Sequence, residues 1–264
     1  MKRRFQKLTV TVALVTALLS CSKNNDFNGD NPEPPINKVV FSAAGDSAAI
    51  VAKLNEFRLF AGDPLNTAPG ATTGRREVNW DAVPANFTNN NNFPLDFFGS
   101  SDPNLGNGRK RGLIIKGNTT FRVDSTDFSE IDASYAAQFE AFSRKRLFTY
   151  TGNNVTQLTF KVPGTQTDAF AKGFGVIFSD VDAANLTTVE YFNGDKSLGI
   201  FKAEPAPQGF SFVGVGFPDE KVTRVRITSG NGLLAPGVKD ISSGGTKDLV
   251  VMDDFLYSEP RPLQ

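Results

Sequence analysis

Three stretches carry residue types and spacings that could do chemistry, and all three offer oxygen donors. "GRREVNWDAVP" (74–84) gathers Arg75, Arg76, Glu77, Asn79 and Asp81 around Trp80, the only tryptophan. "SDVDAAN" (179–185) supplies Asp180, Asp182 and Asn185, and "VVMDDFLY" (250–257) holds the adjacent pair Asp253 and Asp254. Carboxylates and amides of this kind suit a hard cation such as calcium or magnesium, sugar hydroxyls, or proton transfer between paired acids. The chain has no histidine and one cysteine, Cys21. That removes Ser-His-Asp and Cys-His nucleophile activation, imidazole acid–base catalysis and the common imidazole-based zinc and iron sites.

Taken as a strand, the first stretch alternates, so Val78 and Trp80 point inward while Glu77, Asn79 and Asp81 form an outer polar row. Glu77, Asn79, Trp80 and Asp81 are therefore candidate ligand contacts for a sugar or a cation; the alternative is a scaffold edge with an Arg75–Glu77 surface pair. In the closing stretch the same alternation puts Asp253 and Asp254 on opposite faces. At least one then sits near the interior and needs calcium, Arg224, Arg226 or backbone N–H groups as compensation. "SDVDAAN" fails as an EF-hand, because Asn185 stands where glycine and Tyr191 where glutamate is needed, which leaves an irregular calcium loop or a self-satisfied turn. Asp180, Asp182, Asp253 and Asp254 are the candidate calcium ligands. "NGRKRG" (107–112) is a basic loop, either solvated charge or a contact for anionic glycans or lipid head groups.

The elements that must position these groups are mainly strands. "DSAAIVAKLNEFRLFAGD" predicts one helix, about 46–61, capped by Asp46 or Ser47, with Ile50, Leu54, Phe57 and Ala61 on one face and Gly62 ending it. A second short helix is expected within 135–148, and 62–112 reads as mostly loop. Runs at 155–162, 173–178, 186–192, 197–203, 209–217, 221–228 and 248–257, with two more near 111–123, are short and rich in β-branched and aromatic residues. About nine such strands without intervening helices predict an antiparallel β-sandwich, jelly-roll-like, with an N-terminal helix. The 24 phenylalanines, against four tyrosines and one tryptophan, belong to its dry interior rather than to a sugar platform.

Residues 1–20 read as a signal peptide: Lys2, Arg3, Arg4 and Lys7 precede an apolar run too short to span a bilayer. Leu18-Leu19-Ser20-Cys21 resembles the lipobox of bacterial lipoproteins, with Leu19 where a smaller residue is commoner. The resemblance implies that Cys21 is the acylated N-terminus of the mature chain and a membrane anchor. Ser22, in place of a retaining aspartate, implies the outer membrane of a Gram-negative cell envelope. Residues 21–38, rich in Asn, Asp and Pro, read as a flexible tether, and 39–264 as a single domain. Residues 1–20 hold four of the 28 basic and none of the 28 acidic residues, so the remainder carries a net charge of −4. Nucleic acid is a poor partner for such a chain.

"GRREVNWDAVP", "GFGVIFSDVD" and "VVMDDFLYSEP" together resemble an uncharacterised family of secreted bacterial proteins that share GRRE-x-NWDG, GFG-x-x-F-x-DVD and MDDF-x-YGEP motifs. Ala82 and Ser258 depart from it, each replacing a usual glycine. The resemblance implies a fold and a secreted life and no reaction. The function expected is therefore a lipid-anchored envelope module, a non-catalytic binding or structural protein. It would recognise polysaccharide or another envelope component with calcium support and no obligatory cofactor. A histidine-free, carboxylate-dependent glycoside hydrolase or lyase and a purely structural envelope component are the alternatives.

Overall fold

The computed structural model describes residues 34–117 and 120–263. Residues 1–20, Cys21 and the tether up to residue 33 lie outside the described residues. From Ile36 onward the chain clusters as one compact unit.

Two antiparallel sheets pack face to face as a β-sandwich. The first has the order β1 (Val39–Gly45), β11 (Ala206–Gly216), β8 (Gly173–Val181), β13 (Val251–Ser258), β5 (Leu147–Tyr150), β4 (Phe121–Asp124), with β2 (Arg75–Val78) also paired to β13. The second runs β10 (Lys196–Lys202), β9 (Thr188–Asn193), β12 (Arg224–Thr228), β6 (Val155–Lys161), β7 (Asp168–Phe170), β14 (Arg261–Pro262), with β3 (Leu113–Lys116) added to β6. Alternation in β6 is clean: Thr156, Leu158 and Phe160 are buried and the residues between them half-buried. That pattern belongs to a sheet with one wet face.

The first sheet is covered on both sides, so every residue of β8 and β13 is buried. Its inner face meets the second sheet through Trp80, Phe148, Phe174, Phe255, Tyr191 and Val225. Trp80 stacks on Phe148 with ring centroids 4.0 Å apart, and the row continues through Phe121 to Tyr150. Burying each such ring is worth about 1.5–3 kcal/mol, and each well-oriented aromatic pair adds about 0.5–1.5 kcal/mol.

The outer face of this sheet takes the helix α1 (Ser47–Ala61). The Asp46 side chain accepts the Ala49 N–H at 2.8 Å, and the Gly62 N–H donates to the Arg58 carbonyl at 3.0 Å, so both ends are satisfied as the sequence predicts. Ile50, Leu54, Phe57 and Ala61 pack on Phe41, Ile177, Phe210, Phe212 and Leu256. A Cβ on Gly216 would come within 2.2 Å of the Phe60 ring, and one on Gly214 within 2.8 Å of Phe57. Glycine at these two positions of β11 is what lets the helix lie so close.

A third cluster, Phe128, Tyr135, Phe139, Leu147, Leu249 and Val251, sits under the 125–146 segment. The second helix expected within 135–148 is a 3-10 turn, Ala133–Ala137, followed by irregular chain into β5. The Asp132 side chain caps that turn through the Ser134 N–H, and the short-range turn replaces a longer helix.

Strand β2 and the segment after β13 are stitched together by charge. Arg76 on β2 makes two 2.8 Å bonds to the Glu259 carboxylate, and both side chains are almost fully buried. Asn66 donates to the same carboxylate at 2.8 Å. The first and last of the three motif stretches therefore meet as one buried, bidentate ion pair.

Candidate metal centre

At the end of β8 the ladder to β11 breaks register between the pairs Phe210–Ser179 and Ala206–Val181. Three residues of β11 thus face one residue of β8, Asp180, whose backbone is left-handed at φ 66°. The distortion buries the Asp180 side chain completely. Its Oδ1 accepts the Gln208 N–H at 2.7 Å, while Oδ2 is buried with no hydrogen-bond partner. Asp182, two residues on, accepts no hydrogen bond at either carboxylate oxygen, and both oxygens are buried.

Two further aspartates arrive from the loop before β13. Asp240 caps the turn Ile241–Ser243: its Oδ2 accepts from the Ser242 N–H at 2.7 Å and hydroxyl at 2.6 Å, and its Oδ1 from the Leu249 N–H at 2.7 Å. Asp248 accepts the Asp182 N–H at 3.1 Å and the Ala183 N–H at 3.2 Å. Asp180, Asp182 and Asp240 each present an oxygen within 4.8 Å of the others. Among the described residues no ion pair joins any of the four to a lysine or arginine.

The electrostatics follow from that crowding. Burial, reinforced by the charges of Asp240 and Asp248, pushes Asp180 up to about 6. Burial pushes Asp182 up to about 7, helped by the hydrogen bond that its protonated form donates to Asp240 and by the surrounding carboxylates. Burial alone would raise Asp240 too, but the Asp182 hydrogen bond and the N–H groups of Leu249 and Ser242 outweigh it and hold Asp240 below the usual aspartate range. Such a cluster is settled either by a proton shared between carboxylates or by a cation. The donor set is all oxygen, and three buried oxygens lack donors, so the site can hold a metal ion and fits a hard divalent one.

The remaining predicted residues are placed differently. Asp253 and Asp254 do not join this cluster and do not face opposite sides of the sheet. A bulge between the pairs Met252–Phe178 and Phe255–Val176 sets both aspartates opposite Ile177 alone. Both side chains then converge on Ser143, whose hydroxyl bonds Asp253 at 3.2 Å and Asp254 at 2.6 Å. Asp253 also accepts the Phe142 N–H at 2.6 Å and the Ser143 N–H at 3.2 Å. Backbone donors thus supply the compensation, and Arg224 and Arg226 lie on the other sheet. Burial first, then the adjacent carboxylate, holds Asp253 well above the usual range, and burial raises Asp254.

The polar row expected at Glu77, Asn79 and Asp81 is not formed, because β2 ends at Val78 and Trp80 turns the chain at φ 62°. Trp80 is 1% exposed and its Nε1–H donates to the Asp253 carbonyl at 2.8 Å, so neither ring face is open to a sugar. Glu77 accepts from Arg58 at 3.0 and 2.9 Å and from Arg75 at 2.8 Å. Asn79 is exposed, and Asp81 Oδ1 accepts the Lys145 N–H at 3.3 Å. In the basic loop, Arg109 lies over the Phe97 ring at 3.7 Å and Arg111 donates to the Asn66 carbonyl at 2.9 Å, so both hold structure.

Asp240 and Asp248 were not visible as partners of Asp180 in the sequence. "KDISSGGTKD" reads as a turn closed by an aspartate cap, and nothing in its spacing points back 60 residues. No protein-family model, no curated protein and no solved structure matches the chain.

Proposed function

We propose that this protein is a lipid-anchored envelope module, non-catalytic, whose sandwich margin is completed by calcium and which recognises polysaccharide or another envelope component. The observation that carries the reading is the set of three buried carboxylate oxygens on Asp180 and Asp182 left without a hydrogen-bond partner. Calcium suits them better than magnesium, because it accepts irregular oxygen cages and sheds water readily. The Asp253–Asp254 pair, sealed by Phe142 and Ser143, favours the non-catalytic reading over the carboxylate-dependent hydrolase.

Anchoring rests on the lipobox resemblance at Cys21. Three measurements test the whole. Isothermal titration of the metal-free protein with calcium should give one site, abolished in Asp180→Asn/Asp182→Asn. Incubation with polysaccharides should release no sugar. Palmitate labelling of expressing cells should mark the wild type and not Cys21→Ser. Sugar release or a failure to bind calcium would each remove the corresponding half of the reading.

A further inference from the structure

The second sheet has a face that the core does not use. Tyr191, Val225 and Leu158 point into the sandwich, so their strand neighbours Phe192, Arg224 and Thr159 point out, and the register places these three side by side across β9, β12 and β6. Arg224 lies over the Phe192 ring, with its guanidinium carbon 3.6 Å from the ring centroid, Arg226 lies at 5.4 Å from the same centroid, and Phe192 is only 6% exposed. The neighbouring arginine, Arg226, is ion-paired to Glu190. The Arg224 side chain has no ion pair or hydrogen bond to protein among the described residues. Its guanidinium is thus oriented by stacking while its N–H donors stay available.

Arg224 borders an open groove of about 460 Å³ that Lys116, Thr159, Asn193, Asp195 and Thr223 also line. Asp168, on the same wall, is paired with Lys161 at 2.7 Å. Lys116 and Arg224 therefore stand against Asp195. The Asn193 amide donates to Glu220 at 3.0 Å, which leaves its carbonyl oxygen to accept from a ligand hydroxyl.

We infer that this groove binds an acidic polysaccharide, with Arg224 taking the anionic group and Asn193 and Thr159 the hydroxyls. A stacked, planar guanidinium is the side chain best suited to grip a carboxylate or sulfate through two parallel hydrogen bonds. Lys116 adds the second positive charge, and the polar wall matches the hydroxyls of a sugar chain. The inference rests on the binding-module reading above and names its ligand class.

The test is affinity electrophoresis of the purified protein in native gels containing polygalacturonate, dextran sulfate or uncharged dextran, at physiological ionic strength. The wild type should be retarded by one or both acidic polymers and not by dextran; the two acidic gels separate carboxylate from sulfate recognition. Arg224→Ala should weaken retardation at least tenfold and Arg224→Lys, which keeps the stem over Phe192, by less. Lys53→Gln removes the same charge from the helix on the opposite side of the first sheet and should bind as wild type. Unchanged retardation of both Arg224 variants overturns the inference, as does equal loss in Lys53→Gln, which would mean diffuse attraction. Retardation by dextran alone overturns it while leaving the binding module standing. No retardation in any gel overturns it and removes polysaccharide from the binding-module reading. A melting temperature for Arg224→Lys within a few degrees of wild type shows that the fold is intact.

Discussion

Neutralising Asp182 should have opposite effects with and without calcium. In the metal-free protein its carboxylate has no donor and faces Asp180, Asp240 and Asp248. Asp182→Asn removes that repulsion, so the melting temperature in chelator should rise above wild type. With calcium the order reverses, because the variant loses a ligand. A site with a dissociation constant near 0.1 mM, in the range of extracellular modules, stabilises the native state by about 2.7 kcal/mol at 10 mM calcium through mass action. For a domain of this length each kcal/mol moves the midpoint by about 2–4 °C, giving a rise of about 5–11 °C. A tenfold weaker site would reduce the gain to about 1.4 kcal/mol, half the shift. Differential scanning calorimetry of both proteins in chelator and in 10 mM calcium reads all four values, and magnesium should give a smaller shift. A wild-type midpoint indifferent to calcium, or a variant less stable than wild type in chelator, would refute the reasoning.

The buried pair makes a second case: Arg76→Met leaves the Glu259 charge buried without its main partner and should cost on the order of 3–5 kcal/mol in urea unfolding. Restoring balance with Arg76→Met/Glu259→Met should recover most of that loss. Trp80→Ala, which empties the centre of the aromatic row and frees the Asp253 carbonyl, should cost about 3–5 kcal/mol. Acrylamide should quench native Trp80 fluorescence weakly, because the indole is shielded from solvent. Asp253 and Asp254 have folded-state affinities for protons raised above the unfolded value of about 3.9. Their favourable contribution is full below that value and declines as pH rises above it, so stability should fall from pH 4 toward neutrality on their account. Asp254→Asn should flatten that part of the profile and raise stability at pH 7; a steeper profile would contradict the raised proton affinity of the pair.

Where local chemistry decided the structure, it was legible. Asp46, the Ile50-Leu54-Phe57-Ala61 stripe and Gly62 each act within one or two turns, and α1 begins and ends where they require. The alternating runs of β6 and β12 were equally plain. β1 was not, because "VVFSAAG" at a sheet edge has one buried position in seven and no alternation to read. A period of two puts Asp253 and Asp254 on opposite faces, but it holds only while the ladder is regular. The bulge that broke it depends on pairing with β8, which strand spacing alone does not reveal. Alternation carries the strand on to Trp80, whereas β2 stops two residues earlier. Asp180 and Asp182 were found as oxygen donors, but their partner Asp240 arrives through tertiary folding.

The Asp180 and Asp253–Asp254 sites both sit at register faults of the first sheet, and there the resemblance between them ends. A fault removes ladder hydrogen bonds and so creates room and unpaired backbone donors for a carboxylate. At Asp253 the fault is filled by the Phe142 and Ser143 N–H groups and one hydroxyl. That acid is consumed in holding the 142–143 segment to the strand. At Asp180 one N–H is available, and at Asp182 none. Asp240 and Asp248 are themselves well supplied, so they deliver negative charge to the cluster without delivering donors. Counting donors per carboxylate therefore separates the two sites where burial and proton affinity do not, since both are buried and both hold protons tightly. The deficit falls on Asp180 and Asp182, the two aspartates of the "SDVD" turn, and a cation there would supply the positive charge that the described residues withhold.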